Sequence, residues 1–152
     1  MVEANILLDR FESIDQEESI LDYLQIIEAN PIFSEDSHSI AAKDSRTRLI
    51  EINRIVQGRI RDRYKELEER LVVEEDNYVI ASLILGLGQV KQESAVPLLK
   101  NFLSSSVPRL RANAIEALGR FEDPKLLPEI LLNLDDSNNR ARANAIIALK
   151  DL

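Results

Sequence analysis

Apolar residues along this chain recur at intervals of three and four positions, which is the periodicity of a helix with one buried face. Runs in which apolar and polar residues alternate, as in half-buried strands, are missing. The chain has only four glycines and five prolines. Gly119 and the pair Asp123-Pro124 stand where one predicted helix ends and the next begins. We therefore expect an all-α protein.

Two segments nearly repeat each other: RLRANAIEALGRF begins at Arg109, and RARANAIIALKDL begins at Arg140, so the step is 31. The same step of 31 also relates other identical residues: Ala81, Ala112 and Ala143; Leu87, Leu118 and Leu149; and, in the following helix, Pro97 and Pro128. A single helix pair of this kind leaves apolar surface uncovered, so neighbouring pairs must stack. The sequence predicts an α-solenoid of stacked antiparallel helix pairs with a period of 31 over residues 76–152, the last pair being incomplete.

These residues resemble HEAT repeats of the short bacterial type, which also occur in phycobilisome-lyase-like proteins. The family pattern has a proline before the second helix, an aspartate in the loop, and an arginine in an alanine-rich first helix. The matching positions are Pro128, Leu134, Asp136, Arg142, Ala145, Ala148 and Leu149. One unit earlier Ser105 replaces the aspartate, and one further back Glu74 keeps the acid while Ile80 replaces the arginine. The resemblance is clear over residues 76–152 and degenerate before them.

Five recurring polar residues form a predicted structural ladder: Arg111, Asn113, Asp136, Arg142 and Asn144. We expect Arg142 to reach back to Asp136, six residues earlier, in a charge-assisted bond that also holds the loop carbonyls. The two asparagines are expected to bond to backbone where layers meet. The alternative is that the ladder faces a ligand. We favour the structural interpretation, because packing best explains a residue that occurs once per repeat.

The part of the chain before Asp76 is less regular. We interpret residues 1–31 as a degenerate N-terminal helix pair and residues 32–44 as a polar loop. Residues 45–74 predict one long, arginine-rich amphipathic helix, whose apolar stripe is Leu49, Ile52, Val56, Ile60, Tyr64, Leu67 and Leu71. Gly58 could instead divide this segment into a degenerate repeat. We favour the long helix, because no Asp-Pro turn surrounds Gly58.

The sequence is acidic, with a net charge of −8, and only residues 39–73 are net basic, at +3. Attraction of the whole molecule to nucleic acid or anionic lipid is therefore disfavoured. There is no cysteine, no apolar run of spanning length and no basic leader before an apolar core. We expect a cytoplasmic protein that does not bind membranes.

No pattern in the sequence predicts catalysis, a cofactor or a metal site. A glycine-rich phosphate loop, a nucleophile–base arrangement and paired histidines are all missing. His38 is the single histidine and lies in a Ser- and Asp-rich segment, so we expect a solvated loop residue. The one route to an enzyme is the family analogy, which implies a phycobilin-lyase-like subunit.

We therefore expect a non-catalytic scaffold or adaptor that binds another protein on its solenoid surface and is a piece of a longer repeat protein. The partner-binding candidates are Leu98, Asn101, Glu129 and Leu132 on the outer side of second helices, and Arg59, Arg63 and Arg70. For the arginines we favour a solvated face paired with Asp62, Glu66, Glu68 and Glu69, and docking to an acidic partner or a phosphate is the alternative.

Three other functions stay open: the lyase-like subunit, nucleic-acid binding through the arginine-rich helix, and self-association. Self-association would use either the stripe of the long helix or the open C-terminal end. We expect the apolar face of Ile146, Ile147 and Leu149 to be partly uncovered there.

Overall fold

The computed structural model describes residues 40–41, 44–150 and 152. In this part of the chain there are seven α-helices and no strand, which confirms the all-α prediction. The helices are α1 (Ser45–Gln57), α2 (Tyr64–Val73), α3 (Asn77–Gln89), α4 (Val96–Asn101), α5 (Pro108–Gly119), α6 (Leu127–Leu131) and α7 (Asn139–Lys150). The predicted helix pair at 1–31, most of the predicted loop and His38 lie outside the described residues.

The helices alternate between two roles. The first helices of the pairs, α1, α3, α5 and α7, begin at nearly even spacing and pack against one another in a row. The second helices, α2, α4 and α6, are shorter, and each packs against the first helix that follows it. This is the arrangement of an α-solenoid, in which each pair buries its apolar surface against its neighbours.

The predicted single long helix over residues 45–74 is wrong, because the chain turns between α1 and α2. Arg59 adopts a left-handed backbone conformation, with a φ of 50°. Its N–H donates to the carbonyl oxygen of Val56 at 3.2 Å, and the N–H of Ile60 donates to that of Ile55 at 3.0 Å. These two bonds form a Schellman motif, which closes a helix without the Asp-Pro signal. The alternative, a degenerate helix pair, is what the structure shows.

The apolar stripe of this segment lies inside the helix pair. The buried members are Leu49, Ile52, Val56, Leu67 and Leu71. Because α1 and α2 fold back on each other and both pack against α3, these apolar side chains are buried within the chain. Self-association through a long amphipathic helix, one of the two routes that the sequence left open, is therefore also wrong.

Small residues set the distance between neighbouring first helices. A Cβ atom added to Gly88 would stand 2.6 Å from the Cα and Cβ atoms of Ala117, and one added to Gly119 would stand 2.6 Å from the Cβ of Ala148. The same contact is thus used between α3 and α5 and, one repeat later, between α5 and α7. The backbones approach so closely because both glycines lack a side chain.

Candidate functional site

The recurring arginines tie each first helix to the loops on either side of it. Arg111 donates two hydrogen bonds to the carboxylate of Asp136, from Nε at 2.7 Å and from Nη2 at 2.8 Å. Its Nη1 also donates to the carbonyl oxygen of Ser105 at 2.8 Å. Arg142 repeats the second contact, because its Nη1 donates to the carbonyl oxygen of Asp136 at 2.7 Å. The predicted loop-carbonyl contact of Arg142 is therefore present.

The structure corrects which arginine holds the carboxylate of Asp136. The sequence assigned it to Arg142, six residues later, but Arg111 in the preceding layer binds it bidentately. The hydrogen bonds from Arg111 lower the pKa of Asp136, burial opposes this effect, and the backbone N–H of Asn138 adds to it. Asp136 is thus an ionised link between two layers, as a structural role requires.

A second clamp of the same kind was missed by the sequence analysis. Arg48, the fourth residue of α1, binds Glu74 with Nε at 2.8 Å and Nη2 at 3.1 Å. Arg111 is likewise the fourth residue of α5, and Glu74 and Asp136 each stand three residues before a first helix. The period of 31 did not reveal this second clamp. Because α1 begins one residue earlier than that period requires, the period does not align Arg48 with Arg111.

The Glu74 carboxylate is buried and is bound by two arginines and two backbone N–H groups. Besides Arg48, it accepts from Nε of Arg70 at 2.7 Å and from the backbone N–H groups of Glu75 and Asp76 at 3.1 and 3.0 Å. Burial raises the pKa of Glu74, but the hydrogen bonds from Arg70 and the backbone and the charge of Arg48 together lower it to about 2. This cluster therefore stabilises the junction of the first two helix pairs.

The two departures from the repeat pattern are physically coupled. In the layer between the two clamps, Ile80 stands at the arginine position and Ser105 at the acid position. Ile80 is buried, and Ser105 accepts a hydrogen bond from the N–H of Val107 at 3.2 Å instead of binding a guanidinium. An arginine at position 80 would lack its carboxylate, so both members of the pair are replaced together.

The asparagines of the ladder join neighbouring first helices. Nδ2 of Asn113 donates to the carbonyl oxygen of Ala81 at 3.3 Å, and Nδ2 of Asn144 donates to that of Ala112 at 2.9 Å. Asn113 is only 1% exposed. These bonds confirm the expected backbone contacts at the layer boundary.

The candidates on the second helices differ in exposure. Leu98 is half-buried, Asn101 is exposed, and Glu129 forms an ion pair with Lys100 of the preceding second helix. Leu132, the residue after α6, is 82% exposed, and two leucines of α6, Leu127 and Leu131, are 39% and 46% exposed. We call these three leucines the α6 patch; with Val72 and Val73 at the end of α2, they are the exposed large apolar residues of the second helices.

Two of the three arginine candidates are engaged within the chain. Arg63 pairs with Glu51 and, at 2.9 and 2.8 Å, with Glu66, and these contacts raise its pKa. Arg70 pairs with Glu74, as described above. Of the three, only Arg59 is exposed with no side-chain bond to the rest of the described chain. The pairing of Arg63 with Glu66 agrees with the expectation of a charged, internally paired face.

A groove that the sequence analysis did not predict runs over the first helices. It has a volume of about 530 Å³ and is lined by Gly88, Glu116, Gly119, Arg120, Asn144 and Ile147, with Lys91 and Glu122 at one end. Gly88 and Gly119 recur within it, but Glu116, Arg120 and Ile147 differ from the equivalent residues of neighbouring layers, so the period alone does not mark the groove. The amide of Asn144 reaches both the groove and the backbone of α5.

Metal-ligand clusters and membrane-spanning helices are both absent from the part of the chain that the structure describes. No group of three or more histidine, cysteine or acidic side chains there is placed to hold a metal ion. None of the helices in that part is both long enough and apolar enough to cross a bilayer.

Stacked helix pairs joined by recurring Arg–acid and Asn–backbone contacts define this protein as an α-solenoid of short helical repeats. The family model of HEAT repeats matches residues 64–150, which is more than half of the chain. The chain therefore belongs to the HEAT-repeat family, as the resemblance of its sequence indicated. Proteins of this family are generally protein-interaction scaffolds and typically non-catalytic. No curated protein is a significant match to the sequence.

Proposed function

We propose that this protein is a non-catalytic adaptor that binds another protein through the outer side of its second helices. The observation that carries this proposal is the α6 patch, where Leu132 is 82% exposed and Leu127 and Leu131 of the same short segment are exposed as well. Burying one leucine side chain in an interface contributes about 1.5–3 kcal/mol, which is enough for it to anchor a partner.

The surroundings of the α6 patch suit an interface core. The ion pair of Lys100 and Glu129 joins α4 to α6, and Asn101 and Asp135, which follow in the chain, are exposed. Interfaces commonly place such polar groups around an apolar centre. We therefore assign Leu132 the anchoring role and give Leu98 and Asn101 lesser contacts.

The proposal is tested by affinity capture of the intact protein from its own cells, followed by mass spectrometry. We expect Leu132→Asp to reduce recovery of the specific partner at least tenfold, because an aspartate cannot enter an apolar pocket without loss of hydration. Val72→Asp is the matched control, since Val72 is 69% exposed at the other end of the row of second helices. Equal recovery with wild type and Leu132→Asp, at equal thermal stability, would remove the α6 patch from consideration.

A second candidate function is self-association through α7. Ile146 and Ile147 are 61% and 60% exposed, whereas the equivalent residues of α5 are the buried Ile115 and the hydrogen-bonded Glu116. Lys150 occupies the position of Gly88 and Gly119, so the glycine contact between the earlier layers has no equivalent at this position of α7. The exposed isoleucines of α7 suit an apolar contact with a second copy.

Light scattering distinguishes this second candidate from the first. Self-association predicts a mass above 17.3 kDa at high protein concentration and its return to the monomer value in Ile147→Asp. A monomeric mass for the wild type over the whole concentration range would eliminate it.

A further inference from the structure

We propose that the outer face of the first helices is a second binding surface, which takes an acidic segment of a partner protein and pairs its carboxylates with Arg109 and Arg140. This surface is separate from the α6 patch and does not depend on it. We call it the first-helix face.

The first-helix face is built from equivalent positions of successive first helices. Arg109 and Arg140 are the second residues of α5 and α7. Glu116 and Ile147 stand seven residues further along the same two helices. Since seven residues make almost two full helical turns, all four side chains leave the same side of the row. The groove of about 530 Å³ lies along its carboxyl-terminal half.

The cations of the first-helix face outnumber its anions. Lys91 and Glu122 neutralise each other in an ion pair at 2.8 Å. Glu116 is shared, because it accepts from Arg120 at 3.0 Å and from Arg140 at 3.5 Å. Arg109 has no carboxylate partner among the described residues. The face therefore keeps an excess of positive charge on a protein whose net charge is −8.

The environment of Arg109 favours an anion beside it. Its guanidinium stands over the ring of Tyr78, 5.2 Å from the ring centroid, and the residue is half-buried. Burial lowers the pKa of Arg109, the tyrosine opposes this effect, and the positive charge of Arg140 lowers the pKa further. A carboxylate placed between the two guanidinium groups would relieve both the loss of hydration and the repulsion of like charges, in charge-assisted hydrogen bonds.

The groove also indicates what kind of anion fits. Glu116 and Glu122 lie in it, and Ile147 contributes a side chain that is 60% exposed. A nucleic-acid backbone carries a negative charge at every phosphate and would meet these two carboxylates. A peptide segment can place acids opposite the arginines and an apolar side chain opposite Ile147. Neighbouring helices lie about 8–10 Å apart, so its carboxylates should be about two or three residues apart in an extended chain.

The test uses the full chain and two fluorescein-labelled peptides, each twelve amino acids long. One carries glutamate at every third position among leucine, serine and glycine, and the other carries glutamine at the same positions. We expect fluorescence polarisation in low salt to show at least tenfold tighter binding of the glutamate peptide, and amide shifts in α3, α5 and α7 by NMR.

The matched variants each change the net charge by −4. Arg109→Glu with Arg140→Glu should weaken binding of the glutamate peptide at least tenfold. Lys65→Glu with Lys125→Glu, two exposed lysines on the side of the second helices, should change it less than twofold. Because charge reversal at the half-buried Arg109 could disturb folding, Arg109→Gln with Arg140→Gln repeats the test without adding negative charge.

Three results would overturn the inference. They are equal binding of the two peptides, equal loss in the lysine control, which would indicate general charge attraction, and tighter binding of a twelve-nucleotide oligothymidylate than of the glutamate peptide. None of them affects the α6 patch, whose test depends on Leu132. Loss of partner capture in Leu132→Asp, with normal peptide binding, would conversely leave the first-helix face unaffected.

Discussion

Gly88→Ala should lower the free energy of unfolding by about 1–2 kcal/mol, although it adds only one methyl group. That methyl would stand 2.6 Å from the Cα and Cβ atoms of Ala117 and 3.0 Å from its carbonyl oxygen. Because the obstacle is backbone, α5 as a whole must move, and such overpacking costs about 1–3 kcal/mol. Helix propensity alone would favour alanine over glycine by about 1 kcal/mol. A loss of stability in Gly88→Ala would therefore show that overpacking outweighs the gain in helix propensity, and a gain of stability would show the reverse.

The control for this prediction is Gly86→Ala, in the same helix. There the added methyl meets Cγ2 of Val56 at 2.9 Å, a side-chain atom rather than backbone. The gain in helix propensity is the same for both substitutions, so urea denaturation followed by circular dichroism measures the difference in packing. If Gly88→Ala is as stable as Gly86→Ala, the close approach of α3 and α5 does not depend on the missing side chain of Gly88.

Periodic packing made half of this fold predictable from the sequence. The alanines and asparagines recur at a fixed period because each layer meets the same neighbour, and the helices α3, α5 and α7 follow that period. The first pair was misread for two physical reasons. One extra residue shifts Arg48 out of register, and a non-glycine residue, Arg59, closes α1 in the left-handed conformation. Neither leaves a sign in the pattern of apolar positions.

The candidate surfaces were harder to predict for the opposite reason. Contacts that recur, such as those of Asn113 and Asn144, are needs of stacking and say little about partners. The groove instead depends on residues that change between layers: Glu116 and Ile147 line it at equivalent positions of α5 and α7 with different chemistry, and the equivalent residue of α3 is Leu85. Arg109 and Arg140 do recur at the period of 31, but the period does not show that they lie beside a groove whose other side chains change, so the first-helix face emerged only from the structure.

Acidification should destabilise the protein over the pH range in which the carboxylate of Glu74 becomes protonated. The pKa of Glu74 is about 2 in the folded protein and 4.5 without its partners. The ionised carboxylate therefore stabilises the fold above about pH 5, and this contribution is lost as the pH falls toward 2. A difference of that size corresponds to about 3 kcal/mol. The carboxylate contributes so much because Arg70, two backbone N–H groups and the charge of Arg48 together outweigh the cost of burying it, its side chain being 2% exposed and that of Arg48 8% exposed.

Glu74→Gln should consequently cost about 3 kcal/mol at pH 7, since it leaves the buried guanidinium of Arg48 without a counter-charge. The gap in unfolding free energy between wild type and variant should shrink as the pH is lowered from 5 to 2, because the wild-type carboxyl group then becomes neutral as well. Glu75→Gln, at the exposed neighbouring position, should change stability by less than about 0.5 kcal/mol. Urea denaturation at pH 7 and pH 3 measures both effects. If the difference in unfolding free energy between wild type and Glu74→Gln is the same at both pH values, Glu74 acts through the packing of its side chain. Its charge would then not hold the first two helix pairs together.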